Sequence, residues 1–190
     1  QAQLELAYAH FKDGDSTGAV AAADRFIKLH PNHPNVDYAY YLKGRINFND
    51  DMGVLGYLPV KDMTERDPRA AQDAFDAFRE LVTRFPKSRY APDARSRMNY
   101  LVNALASAEV NVAEYYLRRG AYVGAVNRAQ FALTNYPRAP AIKRALTVLV
   151  KAYDEMGLKE LRDDANRTLA ANFPEAKVKL GEGGGWWKFW

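Results

Sequence analysis

Cysteine is absent from all 190 residues. That excludes disulfides, thiol catalysis, iron–sulfur clusters and cysteine-based zinc sites. It leaves the compartment open, because a cysteine-free chain tolerates oxidising and reducing surroundings alike. Histidine is scarce, at His10, His30 and His33 only. The last two flank Pro31 and Asn32 as polar turn residues, and no His-Glu-x-x-His sequence sits on a helical pattern, so no metal is expected. No apolar run is long enough to span a bilayer, and no signal-peptide pattern is present. The chain starts at Gln1, without Met, directly in a helical pattern. We read this as a processed or trimmed chain with a segment upstream.

A dominant charge is lacking too. Lys and Arg number 27 against 23 Asp and Glu, a net +4, and they are scattered. Such mixing reads as a solvated helical surface rather than a nucleic-acid footprint. There is no nucleophile elbow, P-loop or dinucleotide fingerprint. Gly183 to Gly185 have no strand before them and no helix after them, so they do not cradle phosphate. Asp50-Asp51 and Glu65-Arg66-Asp67 are acidic, but nothing pairs two carboxylates across a cleft. These absences point away from an enzyme and from any cofactor.

What the chain does have is a repeat. It is 48% hydrophobic and 26% charged, enough to bury a core and stay soluble. Four apolar runs end in an aromatic or His and then Pro: His30-Pro31, Phe85-Pro86, Tyr136-Pro137 and Phe173-Pro174. Upstream of three of them, at one constant distance, lies Gly14, Gly120 or Gly157. A glycine ends one helix where the backbone turns left-handed, and a proline ends the next because it has no N–H to give. A pair of about 34 residues with small contact residues and a closing Pro is the TPR pattern. Ala19, Ala74 and Ala125 hold the first small position of the second helix, and Phe26, Leu81, Ala132 and Leu169 a later packing position.

Apolar stripes at helical spacing agree: Leu4, Ala7, Tyr8, Phe11; then Ala71, Ala74, Phe75, Phe78, Leu81, Phe85; then Ile142, Leu146, Leu149, Tyr153, Met156. These read as core. No segment alternates like a half-buried strand. Between Pro92 and Arg119, Ala94, Met98, Leu101, Leu105, Ala108, Val112 and Tyr115 step by four and three, predicting one helix of about 40 Å. It is long enough to bridge two halves.

The fold predicted is therefore all-α, a TPR-like α-solenoid of about four helix pairs with one long bridging helix. Residues 1–90 would hold the N-terminal pairs, with a looped insertion at 49–68 marked by Gly53, Gly56, Pro59 and Pro68. Residues 91–180 would hold the C-terminal pairs, and 181–190 a flexible Gly/Trp tail. That tail carries Trp186, Trp187 and Trp190, an aromatic cluster suited to fold-back or partner contact ahead of a membrane interface. Long loops on a repeat scaffold are often functional, with a plain solvated excursion as the near-equal alternative, so Asp50, Asp51, Arg66 and Asp67 are candidate contacts of a partner loop.

Several stretches resemble the BamD (ComL) family, TPR lipoproteins of the outer-membrane β-barrel assembly machine. They are Asp24-Arg25-Phe26-Ile27-Lys28-Leu29, then Pro31, His33-Pro34-Asn35, Asp37-Tyr38 and Gly44. Arg66-Asp67-Pro68, Val112-Ala113-Glu114-Tyr115-Tyr116, Arg119-Gly120-Ala121 and Val126-Asn127-Arg128 follow in the same order. The resemblance implies a lipid-anchored scaffold on the periplasmic face of the outer membrane, without enzymatic activity. It implies five pairs, of which this chain holds the second to the fifth, with the lipidated cysteine and first pair upstream of Gln1. The membrane would be met only through that anchor. Implied partners are the last POTRA domain of BamA, the lipoproteins BamC and BamE, and unfolded β-barrel clients. The position matching the family's key arginine is Arg128, with Arg119, Tyr116 and Tyr122 as neighbouring docking residues. The residues themselves say less: Arg128 sits between Val126 and Ala129 at the edge of a packed face, where a guanidinium can pair bidentately with a carboxylate. The alternative is another TPR peptide receptor or cell-envelope adaptor. Such receptors repeat a clamp of Lys, Arg and Asn on successive first helices, whereas here Asn103 and Asn111 stand without a repeated clamp.

Overall fold

The computed structural model describes residues 2–48, 68–176 and 178. Among them are eight helices and no strand: α1 Ala2–Lys12, α2 Ser16–Leu29, α3 Val36–Phe48, α4 Pro68–Arg84, α5 Ala91–Arg118, α6 Tyr122–Asn135, α7 Ile142–Glu155 and α8 Lys159–Asn172. This is the all-α, TPR-like class that the punctuation predicts, with four helix pairs in the described residues. The long helix appears within one residue of its expected bounds.

The glycine and proline signals work as the backbone chemistry requires. Gly14, Gly120 and Gly157 have φ of 82°, 73° and 71°. At each, the glycine N–H and the next residue's N–H return to carbonyls three and five residues back. Gly120 donates to Leu117 (3.1 Å) and Ala121 to Tyr116 (2.9 Å). Gly157 donates to Asp154 (3.0 Å) and Leu158 to Tyr153 (2.9 Å). Orphan carbonyls at the helix end are satisfied in this way. A Cβ at Gly120 would have no atom within 4 Å, so space is not what demands glycine there. Gly120→Ala is therefore expected to cost about 1–2 kcal/mol through backbone conformation alone, measured by urea unfolding.

The prolines close the second helices just as regularly. His30, Phe85, Tyr136 and Phe173 donate their N–H to Phe26, Leu81, Ala132 and Leu169 at 2.8–2.9 Å. The chain then turns, with the N–H groups of His33, Ser88, Ala139 and Ala176 donating to the carbonyls of His30, Phe85, Tyr136 and Phe173. A second turn hands over to the next helix through Val36, Ala91 and Ile142. Ala19, Ala74, Ala125, Phe26, Leu81, Ala132 and Leu169, the packing positions read from the repeat, are all fully buried.

The chain divides into two compact units, Gln1–Leu101 and Val102–Trp190. In the first, Phe26, Tyr40, Phe48, Phe78, Leu81 and Leu101 form the main core, and α3 comes so close to α4 that a Cβ on Gly44 would lie 2.4 Å from Phe78. Tyr41 donates to Asp93 (2.7 Å), which also accepts from Arg97 (2.7 Å). Burial and that bond push the Tyr41 hydroxyl up to about 12. In the second unit, Val110, Val126, Ile142, Leu146, Leu149, Val150 and Leu169 pack with many alanines. Ala176 and Val178 lie against this core after α8 ends.

One reading needs correction. The stripe along α5 is buried at Ala94 and Leu101, but Val112 and Tyr115 are exposed, at 37% and 52%. The buried residues of α5 in the second unit are Ala106, Val110 and Ala113. Small residues allow α6 and α7 to approach, whereas the larger Val112 and Tyr115 have no helix over them among the described residues. Tyr8, inside its stripe, and Met156, at the end of its own, also read as core from the sequence, but they are 41% and 37% exposed.

Candidate partner-binding surfaces

The uncovered face of α5 in the second unit carries Val112, Tyr115 and, in the turn that follows, Arg119. Spacings of three and four place Ala108, Val112, Tyr115 and Arg119 on one stripe. The Arg119 N–H closes the helix onto the carbonyls of Tyr115 and Tyr116, both at 3.1 Å. Tyr116 turns the other way. Its half-buried ring lies over Gly124 of α6, where a Cβ would come within 3.2 Å, and beside Tyr115 with ring centres 6.0 Å apart.

Two ion pairs of this unit involve α5. Arg128, on α6, gives Nη1 to Glu109 Oε2 at 3.0 Å. Its side chain is 48% exposed and that of Glu109 22%. Arg144, on α7, makes a forked pair with Glu114: Nε to Oε1 at 2.9 Å and Nη2 to Oε2 at 2.7 Å. The same Nη2 reaches Asn111 at 2.6 Å. Tyr122, at the start of α6, donates to Glu155 at 3.3 Å and so faces α7. Of the four docking residues expected, Tyr116 and Arg128 thus lie along the α5–α6 contact, Arg119 is exposed in the turn, and Tyr122 is turned toward α7.

The Glu114 carboxyl is held below the usual carboxylate range, first by the hydrogen bonds from Arg144, with burial opposing. A folded value below the unfolded one means stability that is present above the unfolded pKa and lost as pH falls through the folded one. Arg144→Gln is therefore expected to lower stability at neutral pH and to flatten the loss on acidification toward about pH 3. Urea unfolding at both pH values measures it. A variant as acid-sensitive as wild type would contradict this assignment.

A cleft of about 430 Å³ lies in the first unit, lined by Leu4, Glu5, Tyr8, Asn35, Tyr38, Arg89 and Tyr90. Tyr90 stacks on Tyr41 with centres 4.6 Å apart, and Arg89 sits 4.7 Å from the Tyr90 ring centre. Burial raises the Tyr38 hydroxyl pKa, and nearby Tyr8 and Tyr90 add to it. The cleft therefore offers aromatic faces with a cation at the rim. Glu109, Arg144, Glu5, Arg89 and Tyr90 were not singled out from sequence, and Leu4, Tyr8, Asn35 and Tyr38 were noted only as core or family positions. They come together across long separations, which no periodicity reports. Asp50, Asp51, Arg66 and Asp67, and Trp186, Trp187 and Trp190, lie outside the described residues.

No helix among the described residues is long and apolar enough to cross a membrane. The family described as outer membrane lipoprotein (YfiO) matches residues 1–169. The chain belongs to this family, the BamD family. A relative from Neisseria meningitidis serogroup A, outer membrane protein assembly factor BamD, is 44% identical over all of this chain and 73% of its own length. The BamD of Xylella fastidiosa (strain Temecula1) is 43% identical over 92% of this chain and 60% of its own. That of Vibrio cholerae is 34% identical over 90% and 71%. BamD names carry an assembly role rather than an enzymatic activity, which agrees with the non-enzymatic reading of the sequence.

Proposed function

We propose that this chain is a non-enzymatic adaptor of outer-membrane protein assembly, docking the last POTRA domain of BamA through the α5–α6 surface around Arg128. The observation that supports this most is the form of that surface. It carries a half-exposed arginine tied to Glu109 of α5 and two exposed apolar residues of that same helix, Val112 and Tyr115. Binding hot spots favour Arg and Tyr in such settings. Tyr116 and Arg119 flank it, and Tyr122 supports the start of α6. BamC and BamE would be further partners, on surfaces not assigned to particular residues. The site of action would be the periplasmic face of the outer membrane, reached through a lipid anchor upstream.

The tyrosine-lined cleft of the first unit suits an extended client segment. Its rings can stack on an aromatic side chain, and Arg89 can pair with a carboxylate. The 49–68 insertion, through Asp50, Asp51, Arg66 and Asp67, and the Trp186, Trp187 and Trp190 cluster are proposed as further contacts on sequence grounds alone.

The competing reading, a receptor for charged peptide tails, needs an open clamp. Asn111, its best candidate residue, is already bonded to Arg144, which is itself forked onto Glu114. A pull-down of the chain with isolated POTRA domains, run beside a panel of peptides with charged C-termini, separates the two. Binding to the POTRA domain is expected. Retention of the charged peptides alone would overturn the adaptor assignment.

A further inference from the structure

We infer that Glu109 is a positioning residue that holds Arg128 in the conformation a partner carboxylate meets. This rests on the docking reading above and adds a residue to it.

The case comes from comparing two arginines. Arg144 spends its Nε and Nη2 on both oxygens of Glu114, and Nη2 also reaches Asn111. The edge of its guanidinium that could grip an incoming carboxylate is taken. Arg128 is bound differently, through Nη1 alone, to one oxygen of Glu109 at 3.0 Å. Its Nε–Nη2 edge has no partner among the described residues, and that edge can make two parallel bonds to a carboxylate.

Burial gives the contact a direction. The Glu109 side chain is mostly enclosed, while half of the Arg128 side chain is open. The carboxylate lies close enough to the half-buried Tyr136 that its charge, after burial, raises the pKa of that hydroxyl. The anchored nitrogen therefore meets a mostly enclosed carboxylate, while half of the arginine stays open to water. A free arginine has many rotamers to lose on docking, and an arginine tied at one nitrogen has already lost much of that freedom. An opposing effect is real: the charge of Glu109 repels an incoming carboxylate. If repulsion dominated, neutralising Glu109 would tighten binding, so the sign of the effect decides the matter.

The experiment is a titration of the full chain with the isolated last POTRA domain of BamA. It compares wild type, Glu109→Gln, Glu109→Asp, Arg128→Gln and the Gln/Gln double variant, at a temperature where circular dichroism shows each folded. Glu109→Gln is expected to weaken binding about three- to tenfold, Glu109→Asp to recover part of the loss, and Glu109→Gln to cost nothing further once Arg128 is Gln. Merely structural damage would weaken both backgrounds equally, and that result overturns the inference. Unchanged or tighter binding by Glu109→Gln, with Arg128→Gln still weak, overturns it as well and leaves the docking surface standing. Undiminished binding by Arg128→Gln overturns the docking surface itself.

Discussion

Phe78→Ala is expected to lower the unfolding free energy by about 3–5 kcal/mol, the usual cost of emptying a fully buried aromatic site. Phe78 has no exposed surface and is among the largest fully buried side chains. Tyr41 and Phe48 pack on it, with ring centres 6.1 and 6.3 Å away. It also fills the space left by the missing side chain of Gly44. A Cβ there would lie 2.4 Å from Cε1, 2.6 Å from Cδ1 and 2.8 Å from Cζ of Phe78. The ring cannot swing aside, so Gly44→Ala alone is expected to cost about 1–3 kcal/mol by overpacking. The two changes should couple: in the double variant the new methyl enters the cavity, and the combined loss falls short of the sum. Guanidinium unfolding of the four proteins measures this, and strict additivity would show that Gly44 and Phe78 do not share the space described.

This pair also shows how far the sequence could be read. Gly44 was legible as part of a family pattern, but its reason, contact with an aromatic on the following helix, was not. The turn glycines were legible outright, because Gly14, Gly120 and Gly157 act through local backbone conformation. So were the closing prolines and the alanines at helix contacts, since the repeat prints them in register. The α5 stripe was half legible. Periodicity finds an apolar line but cannot tell whether a helix lies over it, so Ala94 and Leu101 are core while Val112 and Tyr115 of the same line are exposed. Arg128 was legible only through family likeness. Its partner Glu109 and the Arg144–Glu114–Asn111 group join residues far apart in the chain, and pairing across helices leaves no periodic trace.

Arg128→Glu is expected to reduce affinity for the last POTRA domain of BamA by a hundredfold or more. Truncating one partner of a desolvated charge pair costs about 2–5 kcal/mol, which is on the order of 30- to several-thousandfold. Reversing the sign adds repulsion between the new carboxylate and the partner's, and places it beside Glu109. The fold should suffer little by comparison. Arg128 is half-exposed and its one ion pair is of the kind that contributes about 0–1 kcal/mol. A large loss of binding with a small loss of stability is therefore the signature of a docking residue. Arg144→Glu should show the reverse emphasis, because that arginine ties α7 to α5 through three hydrogen bonds.

The most direct measurement is calorimetric titration of the last POTRA domain of BamA into the chain carrying Arg or Glu at position 128, with unfolding curves taken on the same samples. The adaptor account predicts saturable binding by the wild type, none detectable for Arg128→Glu, and unfolding midpoints close together. Equal binding by the two proteins would contradict it.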